Sequence, residues 1–122
     1  MPTSEHVVLG DIAHGRSGDK GNHANVAIIA YTTAGFGWMR EHLTAEAVQH
    51  YFAPLNPSRV VRYEAANLRA FNFVLYDVLA GGASQSLRTD TQGKTLALAL
   101  LRMPIAFRKT DVSRPRRGET DE

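Results

Sequence analysis

The sequence has no cysteine and no long apolar run. Without cysteine the chain forms neither disulfides nor thiolate metal sites, and it has no cysteine nucleophile, which fits a reducing compartment. No segment approaches the roughly 18 apolar residues that a membrane-spanning helix needs. The start MPTSEHVV also lacks the basic and apolar parts of a signal peptide. We therefore expect a cytoplasmic protein without a membrane partner.

A strong excess of one charge is also missing. The formal net charge is +2, and the stretch from Arg108 to Glu122 holds five of the 14 basic residues and four of the 12 acidic ones. The remainder has nine basic and eight acidic residues. This near neutrality does not supply the broad basic surface that binds a nucleic-acid backbone, so we expect no nucleic-acid partner.

Length and composition indicate a single globular domain. The 122 residues are 43% hydrophobic and 21% charged, close to ordinary folded domains. Residues 108–122 are charged and poor in apolar side chains, as disordered tails are. We therefore predict one domain over residues 1–107 and a disordered tail over residues 108–122.

Hydrophobic patterns predict several strands. Continuous apolar runs and alternating segments both favour extended structure. The predicted strands are Val7 to His14, Asn25 to Tyr31, Arg59 to Ala65, a short edge strand from Ser84 to Arg88, and the alternation of Met103, Ile105 and Phe107.

Capping residues and apolar stripes predict the helices. Thr44 is an N-cap for a helix from Ala45 to Phe52, preceded by a helical turn from Trp38 to His42. A second helix is predicted from the stripe of Leu68, Phe71, Leu75, Val78 and Leu79, between an Asn67 cap and the pair Gly81-Gly82. A third follows Asp90 or Thr91 and runs to Leu101. The fold class is then α+β, a two-layer α/β sandwich in which helices pack on a mixed sheet.

The segment HGRSGDKGNHAN, from His14 to Asn25, is the first candidate site. We interpret it as a polar loop between two strands, with glycines at positions 15, 18 and 21. Glycines permit backbone conformations in which successive N–H groups converge on an anion, and Arg16 and Lys20 supply matching charge. In the alternative interpretation the loop is only solvated and its glycines serve turns. The spacing G-x-x-G-x-x-G differs from the dinucleotide fingerprint, so no nucleotide cofactor is predicted.

Titratable side chains in this region suggest acid/base chemistry. Asp19 together with His14 or His23 could transfer protons. Asp11 adds a fourth group, but the histidine spacing matches no recognised metal motif, so no metal is predicted. Asn72 belongs to a set of polar residues around Gly81-Gly82 that would meet the first segment if both lie at one edge of the sheet.

The chain resembles the small domain at the end of the acyclic terpene utilisation (AtuA-like) proteins. The resemblance spans His6 to Phe107 and is carried by HGRSGDKGNHANVAIIA, LTAEAVQHYF and RYEAANLRAFNFVLYDVLAGGASQSLRTDTQGKTLALALL. Its most specific pieces are SGDKG followed by an asparagine and a strand, NFVL before a glycine pair, and SLR-x-D-x-QGK.

The resemblance implies a ferredoxin-like fold and an accessory role. In this family the domain is an appendage to a larger domain and also occurs as a separate small chain. The resemblance implies a place in the breakdown of acyclic or branched acids, with a CoA thioester as a candidate ligand. The matching motif residues are Ser17, Gly18, Asp19, Lys20, Gly21 and Asn25.

Three functions stay open on this evidence. The first is a small subunit that docks on a larger AtuA-type partner and brings the glycine-rich segment to a site for acyl-CoA or carboxylate substrates. In that role Arg16, Ser17, Gly18, Lys20, Gly21 and Asn25 bind the ligand, while Asp19 and His14 are the candidate catalytic residues. The second is a structural or assembly module, and the third is a stand-alone lyase or hydratase acting through Asp19 and His14 or His23. The expected partner is the larger subunit or, failing that, further copies of the chain.

Overall fold

The computed structural model describes residues 7–78 and 92–107. In chain order the elements are β1 (Ala13–Lys20), β2 (His23–Ala30), α1 (Thr33–His42), α2 (Ala45–Tyr51), β3 (Arg59–Ala65), β4 (Ala70–Tyr76) and α3 (Gln92–Leu101), with short 3₁₀ turns between some of them.

The four strands form one sheet in the order β1-β2-β4-β3. Helices α1 and α3 contact β2, α3 also contacts β1, and α2 contacts β3. The predicted α+β class is confirmed as a four-stranded sheet with helices packed on it, which is consistent with a ferredoxin-like fold. All three strand pairings are antiparallel, so the sheet is not mixed as predicted. The β1–β2 hairpin and the β3–β4 hairpin pair with each other through β2 and β4.

The core lies between the helices and one face of the sheet. Alternate strand residues point towards the helices, as the two-residue period of a strand requires. Those from the sheet include Val26, Ile28, Phe71, Phe73 and Leu75, each fully buried. From the helices, the largest fully buried contributions are Met39 and Leu100.

The helix predicted from Leu68 onward is wrong, because this segment is the central strand β4. Phe71 and Leu75 are four residues apart and fit a helical and an extended period equally well. Phe73 decides between them, since it is buried on the same face as its two neighbours. The left-handed conformations of Arg69 (φ 55°) and Asp77 (φ 66°) flank the strand. Leu79 and Gly81-Gly82 lie outside the described residues.

The segment from His14 to Asn25 is a tight β-hairpin, so the predicted loop is wrong. β1 begins at Ala13, after a 3₁₀ turn over Leu9–Asp11, and continues to Lys20. Only Gly21 and Asn22 connect it to β2. Gly21 occupies the first central position of this turn and has φ 62°. Type II′ hairpin turns have glycine at that position. The predicted strand from Val7 to His14 therefore starts too early, and the following one, from Asn25, starts too late.

The two helical segments predicted before and after Thr44 are confirmed. The Thr44 hydroxyl accepts the N–H of Ala47 at 3.0 Å at the start of α2. Helix α1 is longer than the predicted turn, because the Thr32 hydroxyl caps it by accepting the N–H of Gly35 at 2.9 Å. Helix α3 is also confirmed, while its predicted caps Asp90 and Thr91 lie outside the described residues.

Arg62 fixes the C-terminal end of α1 against the sheet. Its Nη1 donates to the carbonyl oxygens of Met39, Arg40 and Leu43, at 3.3, 3.2 and 2.8 Å. The guanidinium also lies 4.3 Å from the centre of the Phe71 ring. The Met39 carbonyl also accepts the N–H of Leu43 at 2.8 Å. Because the last carbonyls of a helix have no further partners within it, the arginine serves as a side-chain cap.

The strand predicted around Met103, Ile105 and Phe107 forms only one bridge, between Val8 and Pro104. The Ile105 N–H donates to the Val7 carbonyl at 2.9 Å, which ties this segment to the start of the domain rather than to the sheet. The predicted edge strand from Ser84 to Arg88 and the predicted tail over residues 108–122 lie outside the described residues.

Candidate functional site

The sheet face turned away from the helices, here called the open face, gathers several of the predicted site residues. Strand register places the following side chains on it: His14, Arg16, Gly18 and Lys20 from β1; His23, Asn25, Ala27 and Ile29 from β2; Ala70, Asn72, Val74 and Tyr76 from β4; and Arg59, Val61, Tyr63 and Ala65 from β3. None of these positions carries a carboxylate.

Gly18 lies opposite Asn25 across the β1–β2 pair. A Cβ at position 18 would approach the Oδ1 of Asn25 to 3.3 Å, so the carbonyl oxygen of the asparagine side chain lies close beside the glycine. The Nδ2 of Asn25 donates to the Oδ1 of Asn72 at 3.3 Å. Predicted site residue Asn25 is thereby fixed beside Gly18, and Asn72 approaches it across the two central strands rather than at an edge of the sheet.

Arg16 and Lys20 flank Gly18 on β1 and are both exposed. The rise of a strand separates their Cα atoms by about 13 Å, with Gly18 midway. Across residues 7–78 and 92–107, neither cation forms an ion pair with a carboxylate. Arg16, Gly18, Lys20 and Asn25 therefore form one exposed cluster, called the cationic half of the open face.

Ser17 and Gly15 belong to the opposite face and pack against α3. The Ser17 hydroxyl accepts the N–H of Ala97 at 3.2 Å. A Cβ at Gly15 would lie 2.9 Å from the carbonyl oxygen of Ala27 and 3.6 Å from the Cβ of Ala97. The two residues let the helix approach the sheet closely, so Ser17 is placed away from the cluster to which sequence reasoning assigned it.

Asp19 and His14 are not brought together. They lie on opposite faces of β1, five residues and about 17 Å apart along the strand. His23 is also on the open face, while Asp19 is on the helix side, beyond Ser17 towards the hairpin tip. The strand register thus separates Asp19 from both histidines that could complete an acid/base pair.

Each of the two histidines has a different neighbour. His14 stacks on Tyr31 with ring centres 5.4 Å apart. The Nδ1 of His23 accepts the backbone N–H of Asp77 at 3.0 Å and lies 3.8 Å from the carboxylate Oδ1 of the same residue. In the described ranges no group of three histidine or carboxylate side chains could hold a metal ion.

Sequence reasoning missed a second half of the open face. Val61, Tyr63 and Val74 form an apolar patch on β3 and β4, with Val61 directly opposite Val74. Tyr63 is 53% exposed. The misassignment of β4 as a helix hid this patch, although the alternation of Asn72, Val74 and Tyr76 between buried residues was the signal that could have found it.

No helix in residues 7–78 and 92–107 is long and apolar enough to cross a membrane. No curated protein and no solved structure gives a significant match to the chain. The family model of the AtuA ferredoxin-like domain matches residues 7–106. This match covers all of the described sheet and helices, and it agrees with the resemblance carried by SGDKG and QGK. The chain therefore belongs to the AtuA ferredoxin-like domain family.

Proposed function

We propose that this chain is a cytoplasmic accessory subunit that docks on a larger AtuA-type subunit and contributes its cationic half to a site for an acyl-CoA or carboxylate substrate. The observation that carries the proposal is the composition of the open face. It combines the apolar patch on β3 and β4 with the exposed Arg16 and Lys20 on β1, and none of the strand positions on this face carries a carboxylate.

Docking is supported by the apolar patch. Antiparallel sheets often keep one solvated face, but that face is then predominantly polar. Here Val61 and Val74 pair beside the exposed ring of Tyr63. Aromatic side chains of this kind are enriched in the centres of protein interfaces, where they anchor the contact. The apolar patch therefore suits a protein surface of similar character.

Charge favours a different subunit over a second copy. Arg16, Lys20 and Arg59 all lie on the open face without a carboxylate among them. Two copies placed face to face would bring these like charges together, which costs free energy at an interface. A larger subunit with acidic residues around an apolar centre avoids this repulsion.

The cationic half gives the chain a binding role. Arginine and lysine are the side chains that bind carboxylate and phosphate groups. Because Asp19 faces away from these residues, the proposal leaves bond making and breaking to the larger subunit. It assigns this chain the orientation of the substrate's anionic group.

A second candidate function is a structural assembly module without a ligand. The contacts of Gly15 and Ser17 with the α3 side favour it, because they give part of the glycine-rich segment a packing role. In that case Arg16 and Lys20 only improve the fit to the partner, and substrate affinity does not depend on them.

Native mass spectrometry of the tagged full chain, recovered gently from its own cells, tests docking. We expect a stoichiometric complex with a larger subunit whose sequence carries the large AtuA-type domain. Recovery of the chain only as a monomer or homo-oligomer would contradict the proposal.

Steady-state kinetics of that complex separate the two candidates. The double variant Arg16→Gln and Lys20→Gln should raise KM for an anionic substrate while the complex stays assembled. An unchanged KM would favour the assembly module.

A further inference from the structure

We propose that His23 and Asp77 form a pH-sensitive latch, which holds the tip of the β1–β2 hairpin to the end of β4 and changes its bond when the imidazole gains a proton. The latch rests on the proposed function only for its biological meaning. Lys20 lies opposite His23 beside the hairpin tip, so the latch makes the placement of the cationic half depend on pH. Its physical basis is the geometry around the Nδ1 of His23.

The first argument concerns the bond that the latch makes. The regular pairing of β2 with β4 ends at Ala24 and Leu75. Beyond that pair, the Nδ1 of His23 accepts the backbone N–H of Asp77 at 3.0 Å, so a side chain extends the connection between the strands to the hairpin tip. A ring nitrogen accepts a hydrogen bond only while it carries no proton. The bond therefore belongs to the neutral imidazole.

The second argument concerns another partner for the same nitrogen. The carboxylate Oδ1 of Asp77 lies 3.8 Å from the Nδ1 of His23, which is too far for a hydrogen bond but close enough to be reached by a small rotation of the ring. In the imidazolium both ring nitrogens are donors. Protonation therefore ends the bond to the backbone N–H and makes the carboxylate the new partner. Because one residue supplies both partners, the exchange is local.

The third argument concerns how Asp77 presents both partners to one ring. Its backbone is left-handed, with φ 66°, a conformation that aspartate tolerates better than most residues. The Ser58 hydroxyl donates to the carboxylate Oδ2 at 2.5 Å, which restrains the side chain and leaves Oδ1 for the imidazolium. The His23 ring packs against Tyr76, with ring centres 4.8 Å apart. Both halves of the latch are thus held in place by neighbours.

The charged and titratable neighbours of His23 make Asp77 the partner of its proton. Lys20 lies opposite His23 on β1, Tyr76 packs against it from β4, and the Arg59 guanidinium of β3 lies 4.3 Å from the centre of the Tyr76 ring. Across residues 7–78 and 92–107, Asp77 is the carboxylate that approaches His23 to ion-pair distance. Imidazoles gain their proton near neutral pH, so the exchange occurs in a physiological range.

The test is NMR of the isotope-labelled full chain, which detects the coupling between the Asp77 amide nitrogen and the Nδ1 of His23 across their hydrogen bond. We expect this coupling at about pH 8 and its loss at about pH 5.5, a window that covers imidazole titration and lies above that of ordinary carboxylates. The Asp77 amide should shift over the same window. Absence of the coupling at about pH 8, or its persistence once the ring is protonated, would overturn the latch.

His23→Phe and His42→Phe are the matched variants. Phenylalanine at position 23 keeps a ring beside Tyr76 but has no nitrogen, so the shift of the Asp77 amide between the two pH values should disappear. His42 is an exposed histidine on α1 that packs against Trp38, and His42→Phe should leave the shift unchanged. A shift that survives in His23→Phe, or that is lost equally in His42→Phe, would overturn the latch.

These measurements use the chain without a partner or a substrate, so their outcome is separate from that of docking. A chain that docks on a larger subunit but lacks the coupling would disprove the latch alone. A chain that shows the coupling and its loss in acid, but forms no complex, would disprove the proposed function and leave the latch in place.

Discussion

Asn25 and Asn72 share a side-chain hydrogen bond of 3.3 Å that crosses from β2 to β4 in the middle of the open face. Asn25 lies opposite Gly18 in the cationic half, whereas Asn72 lies opposite Tyr63 of the apolar patch. The bond thus connects the two halves through the central strands of the sheet. A partner seated on the apolar patch would lie next to any anion bound by Arg16 and Lys20.

Gly15 should be indispensable for packing, in contrast to Gly37. We expect Gly15→Ala to lower the free energy of unfolding by about 1–3 kcal/mol, because its Cβ would lie 2.9 Å from the Ala27 carbonyl oxygen. A Cβ at Gly37 in α1 would meet nothing within 4 Å, so Gly37→Ala should stabilise by about 0.5–1 kcal/mol. Urea unfolding measures both, and equal effects would contradict the close contact of Gly15 with the backbone of β2.

Arg62 should contribute more to stability than Arg59. Each guanidinium lies 4.3 Å from an aromatic ring centre, that of Phe71 or Tyr76 respectively. Arg62 additionally caps three carbonyls of the α1 end, so Arg62→Gln should cost about 1.5–3 kcal/mol in thermal or urea unfolding. Arg59→Gln is the control, because Arg59 has the ring contact without the bonds to those carbonyls. It should lower the free energy of unfolding by less than about 1 kcal/mol. Similar losses for the two variants would argue against the cap.

Asp19 should not be required for anion binding. Its side chain lies on the helix side of β1, so Asp19→Asn should leave the KM of the assembled complex for an anionic substrate unchanged. In the assembled complex the same variant should retain turnover, since the histidines lie on the other face. A loss of about a hundredfold or more, as expected for removal of a general base, would restore Asp19 as a catalytic residue.

The sequence predicted part of the fold for clear physical reasons. β3 has the predicted bounds, and α2 starts at the predicted cap Thr44. β4 was mistaken for a helix because the four-residue spacing of Phe71 and Leu75 fits both periods. The hairpin at Gly21 was mistaken for a loop because polar side chains on an exposed edge strand do not show an apolar alternation.

The candidate site was predicted only in part, since strand alternation divides the motif SGDKG between two faces. Gly18 and Lys20 reach the open face, whereas Ser17 and Asp19 point to the helix side and Gly21 forms the turn. The apolar patch was missed because β4 was assigned as a helix, which separated Val74 from its partner Val61. Its position beside the first hairpin depends on the pairing of β2 with β4 across a long sequence separation.

Binding of the separately purified larger subunit to two matched variants tests the central claim most directly. Tyr63 on the open face is 53% exposed and Leu98 on α3 is 60% exposed, so Tyr63→Glu and Leu98→Glu place a carboxylate at comparable surface positions. We expect Tyr63→Glu to raise the Kd of the complex about tenfold or more, the effect of losing an interface anchor, and Leu98→Glu to leave it unchanged. Equal effects, or a loss of affinity only with Leu98→Glu, would show that the open face is not the docking surface.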